Sequence, residues 1–489
     1  MKNTRIFGGT RSWIAVAFAL ALALVMGVVM AESQGLPPVP PSPPPQVRLP
    51  LPGAGAADLA GGVAPGGVAA QPVALTLEDA IERGLRQNLA PLLAQDASQL
   101  ARAQRLQALS ALLPQVDLSA GEQRQKLNLQ AFGLSLPGVN PIVGPFNVFQ
   151  ASGAAEVPLI NVSGLQNVRA ARGLESAARD NVSATRDLVV LAVANQYLLS
   201  VADAARVEAA QAELATAESA LQQAQDMLHA GTVDRLVAVR AQVQRDRQQQ
   251  QLTAAQNALA KQRLQLARAI GLPPSQAFTL TSASPYAELA PPAPEQAVAQ
   301  ALAARPDYRA SQAVVRSAQF LVAAARDQHL PTVALNGNYG TIGHEISSNH
   351  PVFAVGATVE LPVYTGGAIH AQQLQAEAQL HEAQSRNADL KAAIEVQVRS
   401  ALFDLQNNRD QVGVARDASA LAQQELTLAQ DRFRAGVTDN LEVVQAQQSV
   451  ADAQENYISS LFGYNLAKAS LAQALGVAVS DYRHYLPIQ

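Results

Sequence analysis

One thirteen-residue stretch occurs twice in this chain. Residues 230–242 read Ala-Gly-Thr-Val-Asp-Arg-Leu-Val-Ala-Val-Arg-Ala-Gln, and residues 435–447 read Ala-Gly-Val-Thr-Asp-Asn-Leu-Glu-Val-Val-Gln-Ala-Gln. Ala, Gly, Asp, Leu, Val, Ala and Gln recur in register at an offset of 205. Each copy interrupts a long Ala/Gln/Leu-rich helical pattern. Gly suits the left-handed residue that ends a helix, and Asp can cap the next one. The spacing predicts two long helical hairpins with equivalent tips.

The doubling extends beyond the tips. Leu266 to Gly271 matches Leu471 to Gly476 at the same offset. Leu113-Pro114 matches Leu330-Pro331 at 217, and Glu156-Val157-Pro158 matches Glu360-Leu361-Pro362 at 204. The thirteen-residue difference falls between these motifs and is expected in a loop. Self-similarity on this scale marks one unit duplicated and fused.

Before the first tip the helical pattern runs from near Gly164, about 65 residues or about 100 Å at 1.5 Å per residue. Such a rod needs a partner along its length. Val207, Ala210, Leu214, Ala217, Leu221, Ala224 and Leu228 are spaced alternately by three and four, and Val412, Ala415, Ser419, Ala422, Leu426, Ala429 and Phe433 repeat that seam. Such heptads predict a left-handed coiled coil, and Ala at alternate positions lets the helices approach closely.

Between helices the period changes to two. Phe149, Val157, Val333, Leu335, Tyr339, Phe353, Val355 and Val359 fall on apolar strand faces. Gln150, Ser152, Glu156, Asn336, Asn338, Thr358 and Glu360 fall on the opposite, polar faces. Four strands of about ten residues, apolar on one side, have the length to cross a bilayer obliquely. Four cannot enclose a polar interior, whereas several copies of the chain can. Glu156 and Glu360 either line the mouth of that interior or cap the strand-to-helix joints.

Met1 to Ala31 has the basic start, apolar run and small-residue end of a signal peptide, with an uncleaved anchor as the alternative. Residues 32–74 read as a Pro/Gly-rich linker. Repeat one spans 75–276, with Thr76 as a helix cap, a bend near Pro91 and a loop from Phe132 to Pro145. A linker follows over 277–291, then repeat two over 292–480 and a tail over 481–489. The chain has no Cys, so no disulfide or thiolate metal site is available. Its formal net charge of −4 gives no support to nucleic-acid binding. The seven His lack metal-site spacing, no catalytic motif appears, and neither an enzyme nor a cofactor is expected.

The order helix, Leu-Pro strand, strand Glu-x-Pro, long helix, Ala-Gly-x-x-Asp-x-Leu tip, return helix, Leu-Gly, all twice, resembles the TolC-type outer-membrane efflux proteins. The resemblance covers roughly residues 75–480. It implies an α+β fold in which a homotrimeric β-barrel, four strands per protomer, continues into a coiled-coil tunnel. It implies residence in the outer membrane of a Gram-negative bacterium. The implied partners are a periplasmic adaptor and an inner-membrane pump of the resistance–nodulation–division or ABC type. By position the adaptor would meet Gly231, Asp234, Leu236, Gly436, Asp439 and Leu441. Glu442 and Gln445 occupy the places of a periplasmic gate, and Glu442 alone is acidic. Three copies of Glu442 near an axis would favour cations; the plain alternative is a solvated helix-face charge. A type I protein-secretion conduit, or a periplasmic coiled-coil scaffold without a barrel, are the other functions open to such a chain.

Overall fold

A computed structural model describes residues 56–64, 67, 71–133, 140–281, 286–435, 437–438 and 440–486. The signal peptide over 1–31 and two of the tip residues, Gly436 and Asp439, lie outside the described residues.

Two helices run the length of the protomer: α4 (Val162–His229, 68 residues) and α8 (Ala368–Arg434, 67 residues). The start of α4 is set by Asn161, whose side chain accepts from the Gly164 N–H at 2.7 Å. Each long helix folds back on a return helix, α5 (Arg235–Ala269) or α9 (Asn440–Ala474). The predicted seam is where they meet: Ala210, Ala217, Ala224, Ala415, Ala422 and Ala429 are all buried. Alanine lets the two backbones approach closely, with only a methyl group to be accommodated across the contact.

Gly231 ends α4 at φ 71°, the left-handed region expected of it. The Thr232 N–H then donates to Met227 O at 2.9 Å, satisfying a last-turn carbonyl. Val437 N–H repeats the bond to Arg432 O at 3.0 Å, the same positions plus 205. Asp234 stands at the head of α5, but its carboxylate makes no capping bond. The tip is therefore closed by the glycine turn and not by the aspartate.

Shorter helices precede each strand pair: α2 (Leu77–Gln87) and α3 (Leu89–Ser110) in repeat one, α6 (Pro294–Ala304) and α7 (Pro306–Asp327) in repeat two. Thr76 and Asp79 form the capping box of α2. The bend expected near Pro91 is instead at Asn88. Pro91 sits in the first turn of α3, where its missing N–H would have no partner anyway. Asn88 is extended (φ −65°, ψ 142°), and so is Arg305 at φ −61°, ψ 122°, 217 residues on. Both side chains donate to the end of a return helix. Asn88 Nδ2 reaches Ala269 O at 3.0 Å, and Arg305 Nη1 reaches Ala474 O at 3.3 Å. Each break is thus held by a bond to residues far away in sequence.

The helices form one layer whose order changes midway. Towards the strands it is α3–α4–α7–α8; towards the tips it is α5–α4–α9–α8. The main core lies where the two orders meet, around Ile81, Val193, Tyr197, Leu266, Ile394, Leu405, Tyr464 and Leu471. Part of the expected linker contributes to it. α1 (Ala56–Leu59) is helical, and β1 (Val73–Leu75) pairs in parallel with β4 (Phe278–Leu280). Leu75 is fully buried, and its carbonyl accepts from Tyr197 Oη at 3.1 Å. The expected inter-repeat linker supplies the partner strand, so neither segment is merely a spacer. The tail likewise packs on the helices. Helix α10 (Ala478–Tyr485) buries Tyr485, and its Val479 N–H donates to the Asp187 carboxylate at 3.0 Å.

The remaining strands, β2 (Gln115–Asn128), β3 (Ile142–Ile160), β5 (Thr332–Gly343) and β6 (His350–Glu360), make one antiparallel sheet in the order β2-β3-β5-β6. The first hairpin is longer than expected, because β3 continues through Pro145. Seven of the thirteen extra residues lie in the loop, 129–141 against 344–349, and six lengthen the strands. The last β3–β5 pair is Phe149 with Gly343, so the upper part of the β2–β3 hairpin stands free of the second repeat.

Candidate functional site: two sheet faces, open edges and helical tips

Opposed residues of an antiparallel pair share a face, so the register sorts the side chains without ambiguity. Val116, Leu118, Ala155, Gly153, Val157, Leu335, Tyr339, Ala357, Val355 and Phe353 form one continuous apolar face. Six of the eight residues expected there, Leu335, Tyr339, Phe353, Val355, Val359 and Val333, lie on β5 and β6, where Val333 opposes Val359. The other two, Val157 and Phe149, lie on β3. Phe149 marks the rim of the band, since it opposes Glu122, which accepts from Asn147 Nδ2 at 2.8 Å. The opposite face carries Gln150, Ser152, Glu156, Asn336, Asn338, Thr358 and Glu360, with Asp117 and Ser119 of β2. Its hydroxyls and amides bond across strands: Asn336 Nδ2 to Thr358 Oγ1 at 2.9 Å, and Ser119 to Ser152 at 3.3 Å. Neither Glu156 nor Glu360 caps a joint: Asn161 caps α4, and Gly367 precedes α8 with no side-chain cap.

The apolar face is uncovered. Val355 is 72% exposed and Phe353 77% exposed, although they are neighbours of Tyr339 and Gly337 in the sheet. A patch of this kind on one side of a sheet is too costly to leave in water. Among the described residues both sheet edges, β2 and β6, are also unpaired.

The helical layer ends in the same condition. On α8, Val414, Leu421 and Leu428 repeat every seven residues and are exposed, two residues past the seam positions Val412, Ser419 and Leu426. Two residues rotate about 200° around a helix, away from the partner α9. On the other flank Leu236, Val239 and Val243 of α5, and Leu93, Leu100 and Leu106 of α3, are exposed. This second heptad phase on α8 was present in the sequence beside the seam, and sequence reasoning passed over it. Helix α4 also carries a window apolar enough to cross a membrane, of which 44% is buried inside the protomer; it is core for the neighbouring helices.

At the tips Gly231 has open space around it, and Leu236 and Leu441 are exposed. Glu442 is not a lone charge. Arg432, in the last turn of α8, reaches its Oε1 at 3.1 Å, and Gln445 is exposed one turn on. That ion pair joins the two arms of the second hairpin, and nothing in the spacing of the acidic residues alone pointed to it.

A protomer with an amphipathic sheet joined to a helical layer about 100 Å long at 1.5 Å per residue, with apolar flanks, has the build of an outer-membrane channel protein. The chain matches the Outer membrane efflux protein family over residues 84–272 and 297–477, and it belongs to that family. It is 27% identical over 384 residues to the pyoverdine export outer membrane protein OpmQ of Pseudomonas putida, a match covering 77% of this chain and 80% of that protein. It is 29% identical over 205 residues to the outer membrane efflux protein BepC of Brucella suis, covering 41% of this chain and 45% of that one. The fold is shared with the outer membrane protein VceC of Vibrio cholerae, with a TM-score of 0.70, 21% identity and coverage of 82% and 96%. The protein is an outer-membrane efflux channel, and the scaffold without membrane strands is set aside.

Proposed function

We propose that three copies of this chain close into a twelve-stranded barrel and a continuous helical tunnel, forming the passive exit duct of a pump assembly. The observation that carries this is the coincidence of open edges. The sheet ends in unpaired β2 and β6, and the helical layer ends in apolar stripes on α3/α5 and α8, at the same two flanks of the protomer. Unlike surfaces on opposite flanks associate head to tail, and such contacts close into rings. Ring size follows from strand count. Eight strands leave an interior filled by side chains. Twelve strands spaced about 4.8 Å and tilted about 40° give a backbone diameter of about 24 Å, enough for a wet bore.

The polar face with Asn336, Asn338 and Thr358 then lines the bore, and the apolar face with Val355 and Tyr339 meets lipid. The chain carries no nucleotide-binding motif, so the energy for export comes from a partner in the inner membrane through an adaptor that meets the exposed tips around Gly231 and Leu236. That partner sets the cargo, whether small molecules or a secreted protein. Glu442, paired with Arg432, sits at the narrow end as a weakly charged gate.

The absence of Cys makes the test direct. Asn338→Cys and Tyr339→Cys are placed singly in vesicle-reconstituted protein and treated with a membrane-impermeant maleimide. Asn338→Cys is expected to label and Tyr339→Cys to be protected, with light scattering giving the mass of a trimer. Equal labelling of both, or a monomer that stays in solution without detergent, refutes the duct.

A further inference from the structure

Two glutamines at the junction of the coiled coils are buried with bonding groups left over. Gln248 of α5 is 3% exposed and its Oε1 has no donor; Gln447 of α9 is 8% exposed and its Nε2 has no acceptor. An orphaned buried amide group costs about 1–3 kcal/mol, so two in one place call for an occupant. Both line a cavity of about 280 Å³ that takes residues from all four helices, among them Ala212 and Glu213 of α4, Leu426 of α8 and Val450 of α9.

The charge in this cavity is negative. Among the described residues Glu213 has no ion-pair partner, and Asp452 of α9 adds a like charge beside it. Burial first, and the Asp452 charge second, push the Glu213 carboxyl above its ordinary range. Towards the strands on the same helix, Arg206 is already committed: its Nε and Nη2 bond Glu455 at 2.9 and 2.8 Å, and its Nη1 bonds Asp203 at 2.8 Å. Arg206 is thus not free to answer Glu213.

We propose that this cavity binds a small organic cation of the alkylammonium class. An ammonium group is rich in donors and has no acceptor, which matches the carboxylate of Glu213 and the free carbonyl of Gln248. The methyl groups of Ala212, Leu426 and Val450 suit an alkyl chain. At about 30 Å³ per water the space holds roughly nine waters, so a diamine fits with several retained, and one of these accepts from Gln447. Anions are repelled, and a neutral diol lacks the Coulomb attraction. Because the walls come from both hairpins, the occupant ties them together.

The full-length protein in detergent is titrated with 1,4-diaminobutane by calorimetry, with 1,4-butanediol as the neutral control. Saturable binding of one diamine per chain is expected, at least tenfold tighter than the diol. Glu213→Gln is expected to weaken it tenfold or more, and Gln248→Leu severalfold, with helical circular dichroism unchanged. Should Glu213→Gln fail to fold, Ala212→Leu, which narrows the cavity without touching a charge, is expected to abolish binding. No saturable binding, diol binding equal to diamine, or folded variants that bind as wild type would overturn the proposal.

Discussion

Val355→Lys gives the sharpest test of how the sheet sits in its surroundings. Val355 is five residues from either end of β6, on the apolar face opposite Gly337. At about 3.3 Å per residue and a tilt of about 40°, it lies about 12 Å from each end along the membrane normal. That is the middle of an apolar band about 25 Å tall, where a Lys costs about 2–4 kcal/mol on the lipid side of a barrel. In the proposed trimer, three copies raise the cost to about 6–12 kcal/mol per assembly, roughly four to eight powers of ten in the assembly constant at about 1.4 kcal/mol per decade. Ala354→Lys places the same charge one residue away on the polar face, where the cost is near zero. Val359→Lys, one residue from the end of the strand, falls between, at about 0–1 kcal/mol per copy. The assay is folding into phosphatidylcholine vesicles across a urea series, read by mobility on unheated gels. If Val355→Lys and Ala354→Lys agree within about 0.5 kcal/mol, the assignment of faces is wrong.

Among the described residues Lys468 is buried without a carboxylate partner; its Nζ donates to Ala287 O at 3.3 Å and lies 4.9 Å from the Tyr464 ring centre. Burial pushes its pKa down to about 8 from 10.5. The folded state therefore disfavours the charged amine; the penalty is full below pH 8 and fades as pH rises to 10.5. Wild-type stability relative to Lys468→Met should rise by about 2–3 kcal/mol across that window, and urea midpoints at pH 7.5 and 10 that move in parallel would contradict this. Gly231 and Gly271 share a left-handed φ, near 70°, but differ in space. Gly231→Ala should cost about 1 kcal/mol and only loosen amide exchange at the tip, whereas Gly271→Ala drives a Cβ to 2.6 Å from Gln87 Cβ and should cost several-fold more in global stability. Arg432→Gln frees Glu442 from its ion pair. It should increase the cation selectivity of single channels in planar bilayers, and Glu442→Gln should decrease it; selectivity unchanged in both refutes the proposed gate role of Glu442.

Local periodicity was enough to find the four strands of the large sheet (though not the full length of the first hairpin), the seam Ala210–Ala217–Ala224 and its copy, and the glycine turn at Gly231, because each depends on residues within one or two turns of one another. The sorting of Asn336 and Asn338 from Leu335 and Tyr339 needed only the two-residue alternation of a strand. Other features depended on partners far along the chain. The helix breaks at Asn88 because its amide reaches Ala269 O, 181 residues away, and no window around Pro91 contains that bond. Residues 73–75 pass for linker until Phe278–Leu280 is laid beside them. Arg432 answers Glu442 only once the hairpin is closed, and Gln248 and Gln447 become neighbours of one cavity only when two hairpins pack. Pattern along the chain thus determined which faces are apolar and where the rods turn, while packing between distant segments decided where helices break, which charges are neutralised and where space is left.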